Sequence, residues 1–596
     1  MGIGVGAGPI GDEKNKTRKK KKNKPINLHR GWPSATLLPA AALRAASQTA
    51  LSDPEIWAPG LEYAPDPGYQ PLREALARWL GRFYRDVLPV SGSAPGEQGN
   101  EIKEGGEREE EEEAERITIT GGASQGLACL LQSFTDPART LAVWVVAPCY
   151  FLACPIFADA GFAGRMRGAP EDDEGVDVVV LEREMEELER RVAGGDDEGE
   201  GGRGGEGGGE RGGRRTWYKD PRPHRKIYRH VVYCVPAFSN PGGRTMTLER
   251  RRALVALARR RDALVVCDDV YDMLQWDVEA SPSPTSSSSS SSPLSLASQS
   301  KSSPPGRRNL HRALLPRVVD LDLAAGRSPH DPPGKRFGHV VSNGSFSKLV
   351  APGTRTGWTY STADFALGAS QTGSTRSGGA ASQFAAIVIC QLLLRPSSSS
   401  ASSLGSCRGR GEVEVREKDG KEEEEEEEEE EECELDNHIR HTLLPSYARR
   451  HGLLMRAIRA ELVPLGIRVR EDSLCGLGGV YGGYFVWMTL PGGPNTGDGR
   501  GERERERQWP TAQAIAARCR ADEDLLIGNG ELFAVHGDED AARFDDAIRL
   551  CFAWEDEGNL VEGVERLGRV VRRMLEEGPG CWGVRDGNIG DADPGK

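Results

Sequence analysis

The stretch that decides the fold runs from Val231 to Cys267 and reads VVYCVPAFSNPGGRTMTLERRRALVALARRRDALVVC. It begins and ends in short apolar runs, 231–236 and 263–267, that are nearly continuous, as in strands buried on both faces of a parallel sheet. The segment between them, 248–261, has a helical pattern. It follows Thr247, a residue type that caps helix N-termini. The stretch therefore predicts a strand–helix–strand unit.

Two further regions extend this pattern. A third apolar run, 141–147 (LAVWVVA), resembles the first two, and strand–helix alternation predicts an α/β fold with a mostly parallel sheet covered by helices. From about Leu435 the pattern changes. Segments 440–462 and 558–576 are amphipathic and helical, whereas 479–490 alternates like a strand. We therefore expect a second, smaller α+β domain.

Low-complexity segments interrupt the regular patterning. Their compositions bury too little apolar surface to offset the entropy of ordering, so we expect disordered insertions in surface loops. These insertions span about 91–115, 169–225, 279–336 and 396–434. The expected organisation is a basic tail 1–25, an N-terminal segment 26–60 packing with the small domain, a large domain 61–395, the small domain 435–580 and a tail 581–596.

Composition excludes several classes of protein. The chain has 596 residues and a formal net charge of -14, which disfavours a nucleic-acid partner. Its apolar runs fall short of the roughly 18–20 residues that a membrane span needs, and its N-terminus lacks an apolar signal core. The 12 cysteines form no Cys-x-x-Cys pair, which suits a reducing compartment. We expect a cytoplasmic protein, although the basic run 14–24 leaves a nuclear location open.

Side chains able to bind a charged ligand follow the apolar runs. In open α/β sheets, ligands bind beyond the carboxyl ends of the strands. A glycine-rich turn, 121–126, also opens a helical segment, where free N–H groups attract anions. Each residue alone has an ordinary explanation as a turn, a cap or a solvated charge. Their order at successive strand ends predicts a site that contains Tyr150, Asn240, Asp268 or Asp269, Tyr271 and Lys348.

The segment Ser345–Trp358, SFSKLVAPGTRTGW, resembles the Ser-x-Ser-Lys and Pro-Gly-x-Arg-x-Gly signature of pyridoxal-phosphate-dependent class I/II aminotransferases. The segment 268–271 is similar to the Asp-x-x-Tyr motif of that family, and 239–243 is similar to its Asn-Pro-x-Gly motif. Weaker matches are 31–33, 63–69 and 547–552. The chain is identified as a member of this family over most of its length outside the insertions, which implies the fold-type I architecture.

The resemblance implies a role for each catalytic residue. Lys348 would hold pyridoxal phosphate as a Schiff base and serve as general base and acid. Asp268 would pair with the pyridinium nitrogen, and it is preferred to Asp269 because it stands three residues before Tyr271. Tyr271 and Asn240 would hydrogen-bond the phenolic oxygen of the cofactor.

Further residues would hold the cofactor in place. Tyr150 would stack on its ring. The phosphate would be bound by a set of residues from two segments: the backbone of Ala123 and Ser124, the Ser345 hydroxyl and the Arg355 guanidinium. Ala123 stands where the family often has a hydroxyl residue, so only a backbone contact is expected there. Tyr63 would reach the phosphate of the partner subunit, which implies a homodimer.

The implied substrates are an amino acid and a 2-oxo acid. Arg549 would bind their α-carboxylate, with the backbone of Gly31 nearby, and no metal is expected. The resemblance is to broad-specificity aromatic and 2-aminoadipate aminotransferases. No second arginine can be assigned from the sequence to a side-chain carboxylate.

Two alternatives remain open on the same scaffold. One is another pyridoxal-phosphate enzyme, such as a C–S lyase or a cyclopropane-forming synthase, because the cofactor serves all these reactions. The other is a non-catalytic regulator that binds the cofactor. Such regulators carry a DNA-binding region first, and about 25 residues precede Ile26, too few for a helix-turn-helix domain.

Overall fold

The structure is a computed structural model. It describes residues 24–87, 111–194, 218–219, 222–278, 311–376, 381–396, 432–474, 479–492 and 509–582. Its strands are β1 (Ile26–Asn27), β2 (Ile117–Thr120), β3 (Ala142–Ala147), β4 (Met166–Asp172), β5 (Gly175–Val176), β6 (His230–Cys234), β7 (Ala263–Asp268), β8 (Gln275–Asp277), β9 (Val340–Ser345), β10 (Gly357–Tyr360), β11 (Arg468–Val469), β12 (Val480–Gly482), β13 (Phe485–Thr489), β14 (Leu525–Leu526), β15 (Gly528–Asn529) and β16 (Ala547–Cys551).

The longer helices are α1 (Ala40–Ser52), α2 (Pro54–Leu61), α3 (Gln70–Tyr84), α4 (Ala123–Phe134), α5 (Cys154–Phe157), α6 (Val178–Gly194), α7 (Leu248–Arg261), α8 (Val318–Ala324), α9 (Ala363–Ser370), α10 (Gln383–Leu394), α11 (Glu434–His438), α12 (Leu444–Glu461), α13 (Ala512–Glu523) and α14 (Glu557–Glu577). Short 3-10 or π turns lie at Ala35–Leu37, Arg85–Val87, Phe151–Ala153, Ala158–Phe162, Pro352–Thr354, Ile439–Leu443, Val463–Leu465, Gly530–Phe533 and Pro579–Cys581.

The predicted α/β sheet is confirmed. Among the described residues it has 8 strands, in the order β2-β10-β9-β7-β6-β3-β4-β5. Strands β4, β3, β6, β7 and β9 run parallel, whereas β10 is antiparallel to both of its neighbours and β5 is antiparallel to β4. The three apolar runs form β3, β6 and β7, and every residue of these strands is buried.

Alternation along β7 sends side chains into two separate apolar clusters. Leu264 and Val266 pack with one cluster, which includes Phe134 of α4, and Val265 packs with the other, which includes Leu254 of α7. Burying each such side chain contributes about 1.5–3 kcal/mol. Because helices cover both faces, the strands have no solvent-facing side to alternate with, which explains their continuous apolar character.

Helix α7 forms where the sequence predicted it, and both of its ends are capped. The hydroxyl of Thr247 accepts a hydrogen bond from the Arg250 N–H. At the other end Asp262 adopts a left-handed conformation with φ of 50°, and its N–H bonds to the Ala258 carbonyl. These contacts satisfy backbone groups that a helix end leaves unpaired. The helix therefore begins and ends where local sequence supplies the caps.

The predicted strand 479–490 is two strands. β13 joins β11, β16 and β15 in a four-stranded sheet, while β12 pairs with β8 near the large sheet. The break lies at Gly483, whose φ of 70° places it in the left-handed region. There a Cβ atom would lie only 3.0 Å from the backbone oxygen of Phe238. Glycine permits this turn and this close approach together.

The N-terminal segment 26–60, which we expected to pack with the small domain, packs on two regions. β1 pairs in parallel with β14, and the Leu28 carbonyl accepts a hydrogen bond from the Cys551 N–H at 2.7 Å. Helices α1 and α2, however, pack against α10 of the large domain. At Gly60 a Cβ atom would overlap Ile387, so the absence of a side chain permits close packing of α2 on α10.

The expected insertions are narrower than predicted. In 169–225 the structure has the end of β4, all of β5 and the 17-residue helix α6. Helix α6 buries Val178, Leu181 and Met185, so an apolar stripe lies within a glutamate-rich segment. The overall composition of α6 does not reveal this stripe, because its charged residues outnumber the apolar residues that pack against the core.

The other insertions are shortened in the same way. Ala114 is fully buried at the end of 91–115, and α8 with the buried pair Arg317 and Asp320 lies inside 279–336. Within the four predicted insertions, residues 91–110, 195–217, 220–221, 279–310 and 397–431 lie outside the described residues, as do the predicted tails up to residue 23 and from residue 583. Among the helices that the structure does describe, none combines the length and apolar character of a membrane span.

Candidate active site

A cavity of about 850 Å³ lies at the carboxyl ends of β6, β7 and β9, between the N-terminus of α4 and strand β16. Nearly all the predicted site residues line it: Gly31, Ala123, Ser124, Tyr150, Asn240, Asp268, Tyr271, Ser345, Lys348, Arg355 and Arg549. Tyr63 is the exception. It lies away from this cavity, and its side chain is 87% exposed. The parallel strands bring these residues together because their carboxyl ends share one edge of the sheet.

Asp268 is the last residue of β7 and faces the cavity. Its Oδ2 accepts a hydrogen bond from the Tyr233 hydroxyl at 2.6 Å, whereas its buried Oδ1 has no partner among the described residues. Burial raises the pKa of Asp268 to about 6, and both the Tyr233 hydrogen bond and the charge of Lys348 act against this rise. A buried acceptor without a donor is costly. The Oδ1 atom therefore fits a ligand that offers a cationic N–H group, such as a pyridinium nitrogen.

Asp269 points to the opposite side of the strand. It lines a separate small cavity with Tyr84, Asp272 and Arg317. Burial raises the pKa of Asp269 well above its usual range, and the nearby Asp272 carboxylate adds to this effect. The two adjacent carboxyl groups thus have different surroundings, because consecutive strand residues point to opposite faces.

Lys348 follows β9 in the chain and lines the cavity. Its Nζ donates a hydrogen bond to the Gly31 carbonyl at 3.1 Å and lies 5.3 Å from the centre of the Tyr484 ring. Burial lowers the pKa of Lys348 to about 8; Cys551 and Asp268 act against this shift, whereas Arg549 and Arg355 add to it. About a tenth of the amine is therefore neutral at pH 7, far more than for an ordinary lysine, and the neutral form is the one that acts as a nucleophile or a base.

The phosphate cradle forms where α4 begins. Gly122 precedes the helix with φ of 96°, and a Cβ atom there would lie 2.7 Å from Nη2 of Arg355. That guanidinium donates to the carbonyls of Gly121 at 2.9 Å and Pro352 at 3.0 Å. The first turn of a helix leaves its N–H groups without intrahelical acceptors. Together the helix end and the guanidinium fit a phosphate group.

Ser345 lies beside this cradle at the end of β9. Its hydroxyl donates to the Ser347 hydroxyl at 2.9 Å and accepts a hydrogen bond from the Ser347 N–H at 3.1 Å. Tyr150 lies on another wall, and burial raises the pKa of its phenol to about 12. The phenol is therefore neutral, and its ring offers an apolar face to the cavity.

Arg549 lies on β16 and is 3% exposed. Its Nη1 donates to Oδ1 of Asn240 at 2.8 Å, and its Nη2 donates to the His29 carbonyl. The guanidinium carbon lies 4.2 Å from the centre of the Phe485 ring. Burial lowers the pKa of Arg549 to about 10, and no carboxylate among the described residues forms an ion pair with it. A buried cation of this kind suits an anionic ligand.

Tyr233 is a residue that sequence reasoning missed. It lies within the run 231–236, where every neighbour reads as strand core, and its hydroxyl holds Asp268 in place. The only available signal was a tyrosine in an otherwise apolar strand, because a buried phenol must place its hydroxyl on a partner. The identity of that partner depends on strand order, which the sequence does not state.

The sequence is similar to those of known proteins. The model of the family described as aminotransferase class I and II matches residues 33–401. An aromatic-amino-acid aminotransferase of Thermococcus litoralis is 22% identical over 93% of this chain and 89% of its own length. A 2-aminoadipate transaminase of Thermus thermophilus is 23% identical, over 91% of this chain and 89% of its own.

A solved structure shows the same fold. It is the multiple substrate aminotransferase from Thermococcus profundus, which is 20% identical, has a TM-score of 0.56 and covers 94% of this chain and 93% of its own. The matching family model spans more than half of the chain, and the cavity offers an acceptor, a phosphate cradle and a buried lysine that fit pyridoxal phosphate. The chain belongs to the aminotransferase class I and II family and is a pyridoxal-phosphate-dependent aminotransferase.

Proposed function

We propose that Lys348, Asp268 and Arg549 are the central residues of transamination between an amino acid and a 2-oxo acid. The observation that carries this proposal is their meeting in one cavity, with a lysine of lowered pKa beside an unpartnered carboxylate oxygen. Bound pyridoxal phosphate supplies an electron sink that stabilises negative charge on the substrate carbon.

Several side chains would hold the cofactor. Oδ1 of Asp268 would accept the N–H of its ring and keep that nitrogen protonated. Tyr271 and Asn240 would bind its phenolic oxygen, and Tyr150 would cover one face. The phosphate would be bound by the backbone of Ala123 and Ser124 at the helix end and by the side chains of Ser345 and Arg355.

Lys348 would move the proton. As a neutral amine, its Nζ would accept a proton from the substrate Cα and, once protonated, would act as the general acid that gives the proton back. A pKa of about 8 suits this work, because the group must be deprotonated to accept the proton and protonated to return it near pH 7–8. The Gly31 carbonyl, 3.1 Å from Nζ, orients the amine.

Arg549 would bind the α-carboxylate, which the amino acid and the 2-oxo acid share. One residue therefore serves both half-reactions. The Asn240 amide and the His29 carbonyl fix the guanidinium, so little side-chain entropy is lost on binding. The two relatives named above act on aromatic amino acids and on 2-aminoadipate, and we infer substrates of these two classes for this chain.

The proposed assembly is a homodimer. Tyr63 is 87% exposed and lies away from its own cavity, which supports a role in the cavity of a second copy. The proposed compartment is the cytoplasm. All 10 cysteines within the described ranges are free thiols, and 9 of them are buried, as in proteins that fold under reducing conditions.

A chemical trapping experiment tests the assignment of Lys348. The holoenzyme should be yellow, and borohydride followed by peptide mapping should find the cofactor on Lys348. Adding an amino acid should remove the cofactor absorbance and release one equivalent of 2-oxo acid. Label on another lysine would refute the assignment, and an eliminated product in place of the 2-oxo acid would indicate a lyase.

A further inference from the structure

We propose that Tyr484 and Tyr447, two buried tyrosines, are positioning residues for Lys348. A chain of their two hydroxyls anchors the main chain of the lysine, and the ring of Tyr484 lies beside its amine. Both tyrosines would act on the reaction through Lys348 and not on the substrate itself. This inference rests on the proposed function, because it assumes that Lys348 carries the cofactor and moves the proton.

The main chain of Lys348 lies outside the regular elements around it. Strand β9 ends at Ser345, and the next turn begins at Pro352. Lys348 belongs to the short connection between them, where no strand ladder pairs its carbonyl group. A main-chain carbonyl of this kind needs a hydrogen-bond donor from elsewhere. The hydroxyl of Tyr484 supplies one, 3.3 Å from the Lys348 carbonyl oxygen.

The two phenols form a hydrogen-bond chain with a fixed direction. A carbonyl oxygen can only accept, so the single O–H of Tyr484 is directed at Lys348. The hydroxyl of Tyr447 lies 3.1 Å from that of Tyr484 and must therefore donate to it. Burial raises the pKa of both phenols, that of Tyr447 to about 12, so both keep their protons. Successive hydrogen bonds of this kind polarise and strengthen one another.

Tyr484 is itself held firmly enough to serve as a support. Its side chain is fully buried and packs against Tyr447 and Tyr271, with ring centres 5.1 Å and 5.5 Å away. Its main-chain carbonyl accepts a hydrogen bond from the Phe552 N–H at 3.1 Å. Tyr447 lies on α12 and is also fully buried. Packing and hydrogen bonds therefore restrict both side chains, as a positioning group requires.

The ring of Tyr484 acts on the amine of Lys348. Nζ lies 5.3 Å from the ring centre, within the roughly 6 Å over which an aromatic face attracts a cation. The attraction stabilises the charged form of the nitrogen and opposes burial, which lowers the pKa of Lys348. The ring would thus help the nitrogen to hold the proton that it later gives back.

Tyr228 offers a matched comparison elsewhere in the molecule. It is fully buried, its hydroxyl donates to the Gly338 carbonyl at 2.7 Å, and Nζ of Lys226 lies 4.4 Å from its ring centre. Tyr228 and Gly338 directly precede β6 and β9, at the opposite ends of these strands from the cavity. The same two contacts therefore occur far from the reacting groups, so Tyr228 separates a loss of stability from a loss of positioning.

Kinetics of the holoenzyme test the role of the hydroxyl chain. Tyr484→Phe removes the hydroxyl and keeps the ring. Its kcat should fall about tenfold, whereas KM for amino acids should stay within about twofold, because Arg549 still holds the substrate. Tyr447→Phe removes only the donor to Tyr484 and should lower kcat about twofold to threefold. Tyr228→Phe is the control and should keep the wild-type kcat, with a loss of thermal stability similar to that of Tyr484→Phe.

Absorbance of the holoenzyme tests the role of the ring. Tyr484→Met removes the aromatic face and fills most of its space with apolar atoms. The pH midpoint of the cofactor absorbance should lie about 0.5–1 unit lower in Tyr484→Met than in Tyr484→Phe, since the charged nitrogen loses its aromatic neighbour. Equal midpoints in these two variants would overturn the role of the ring.

The inference as a whole is overturned by wild-type kcat in Tyr484→Phe, or by an equal loss of kcat in Tyr228→Phe. Where the Tyr484 variants fail to fold, Tyr447→Phe carries the test, and wild-type kcat in that variant is the contradicting result. Borohydride trapping in the wild type keeps the two proposals apart. Label on a lysine other than Lys348 refutes the proposed function, whereas label on Lys348 together with an undiminished kcat in Tyr484→Phe refutes the positioning role alone.

Discussion

The charged side chains at the floor of the cavity, Asp268 and Arg549, are more buried than those at its mouth, Arg30 and Arg520. At the floor, Asp268 and Arg549 are 7% and 3% exposed and each is hydrogen-bonded to another side chain. At the mouth, Arg30 is half-buried between indole rings, and Arg520 is exposed. Burial shifts the pKa values of the floor groups, while water surrounds the mouth. The difference indicates that burial gives the floor groups the altered charge states that the chemistry uses.

The largest effect is expected at the floor lysine. Lys348→Ala should lower kcat/KM by about 10⁴-fold for every amino acid, because it removes both the covalent attachment and the proton carrier. Steady-state release of 2-oxo acid measures this. Lys335→Ala, which removes a lysine that pairs with Asp364 outside the cavity, is the control and should behave as wild type. Turnover by Lys348→Ala near the wild-type rate would contradict the role.

The two carboxyl groups at the end of β7 give the next comparison. Asp268→Asn should lower kcat/KM by about 10³-fold, since the neutral amide cannot keep the ring nitrogen protonated. Asp269→Asn is the matched variant. The raised pKa of Asp269 favours its neutral form, which asparagine resembles, so activity should remain within about twofold of wild type. Equal losses of activity in the two variants would show that Asp268 owes no special role to its position in the cavity.

Arg549 should have a smaller effect that falls on substrate affinity. Arg549→Leu should raise KM for amino acids and lower kcat/KM by about 100-fold, because it removes a charge-assisted pair of hydrogen bonds and leaves Oδ1 of Asn240 without its donor. Steady-state kinetics across substrate concentrations measure both constants. The cofactor absorbance of the unreacted holoenzyme should be unchanged, and an unaltered KM would refute the role.

The smallest effect concerns the pH dependence of the floor. Cofactor uptake by the apoenzyme should slow as pH falls below about 8, as Lys348 gains a proton, and again below about 6, as Asp268 is neutralised. The hydrogen bond from Tyr233 lowers the pKa of Asp268. In Tyr233→Phe the second decrease in uptake rate, near pH 6, should therefore shift to a pH about one unit higher. Stopped-flow absorbance from about pH 5 to pH 9 measures it. If the pH of this second decrease were unchanged, Tyr233 would not set the pKa of Asp268.

Local patterns carried much of the fold and of the candidate site. Helix α7 was predicted to the residue because its cap, Thr247, is adjacent in sequence. Helix α6, in contrast, was wrongly predicted to belong to a disordered insertion, because its charged composition hides the helical spacing of its few apolar residues.

By itself the sequence determined the alternation of strands and helices, the motif around Lys348 and the order of polar residues at strand ends, since all of these depend on neighbours along the chain. Tertiary structure alone decided that Tyr233 and Asn240 hold Asp268 and Arg549, and that four arginines and one lysine line the same cavity. The physical reason is that strand order and packing bring together residues hundreds of positions apart, such as Asn240 and Arg549, and burial then sets their charge states.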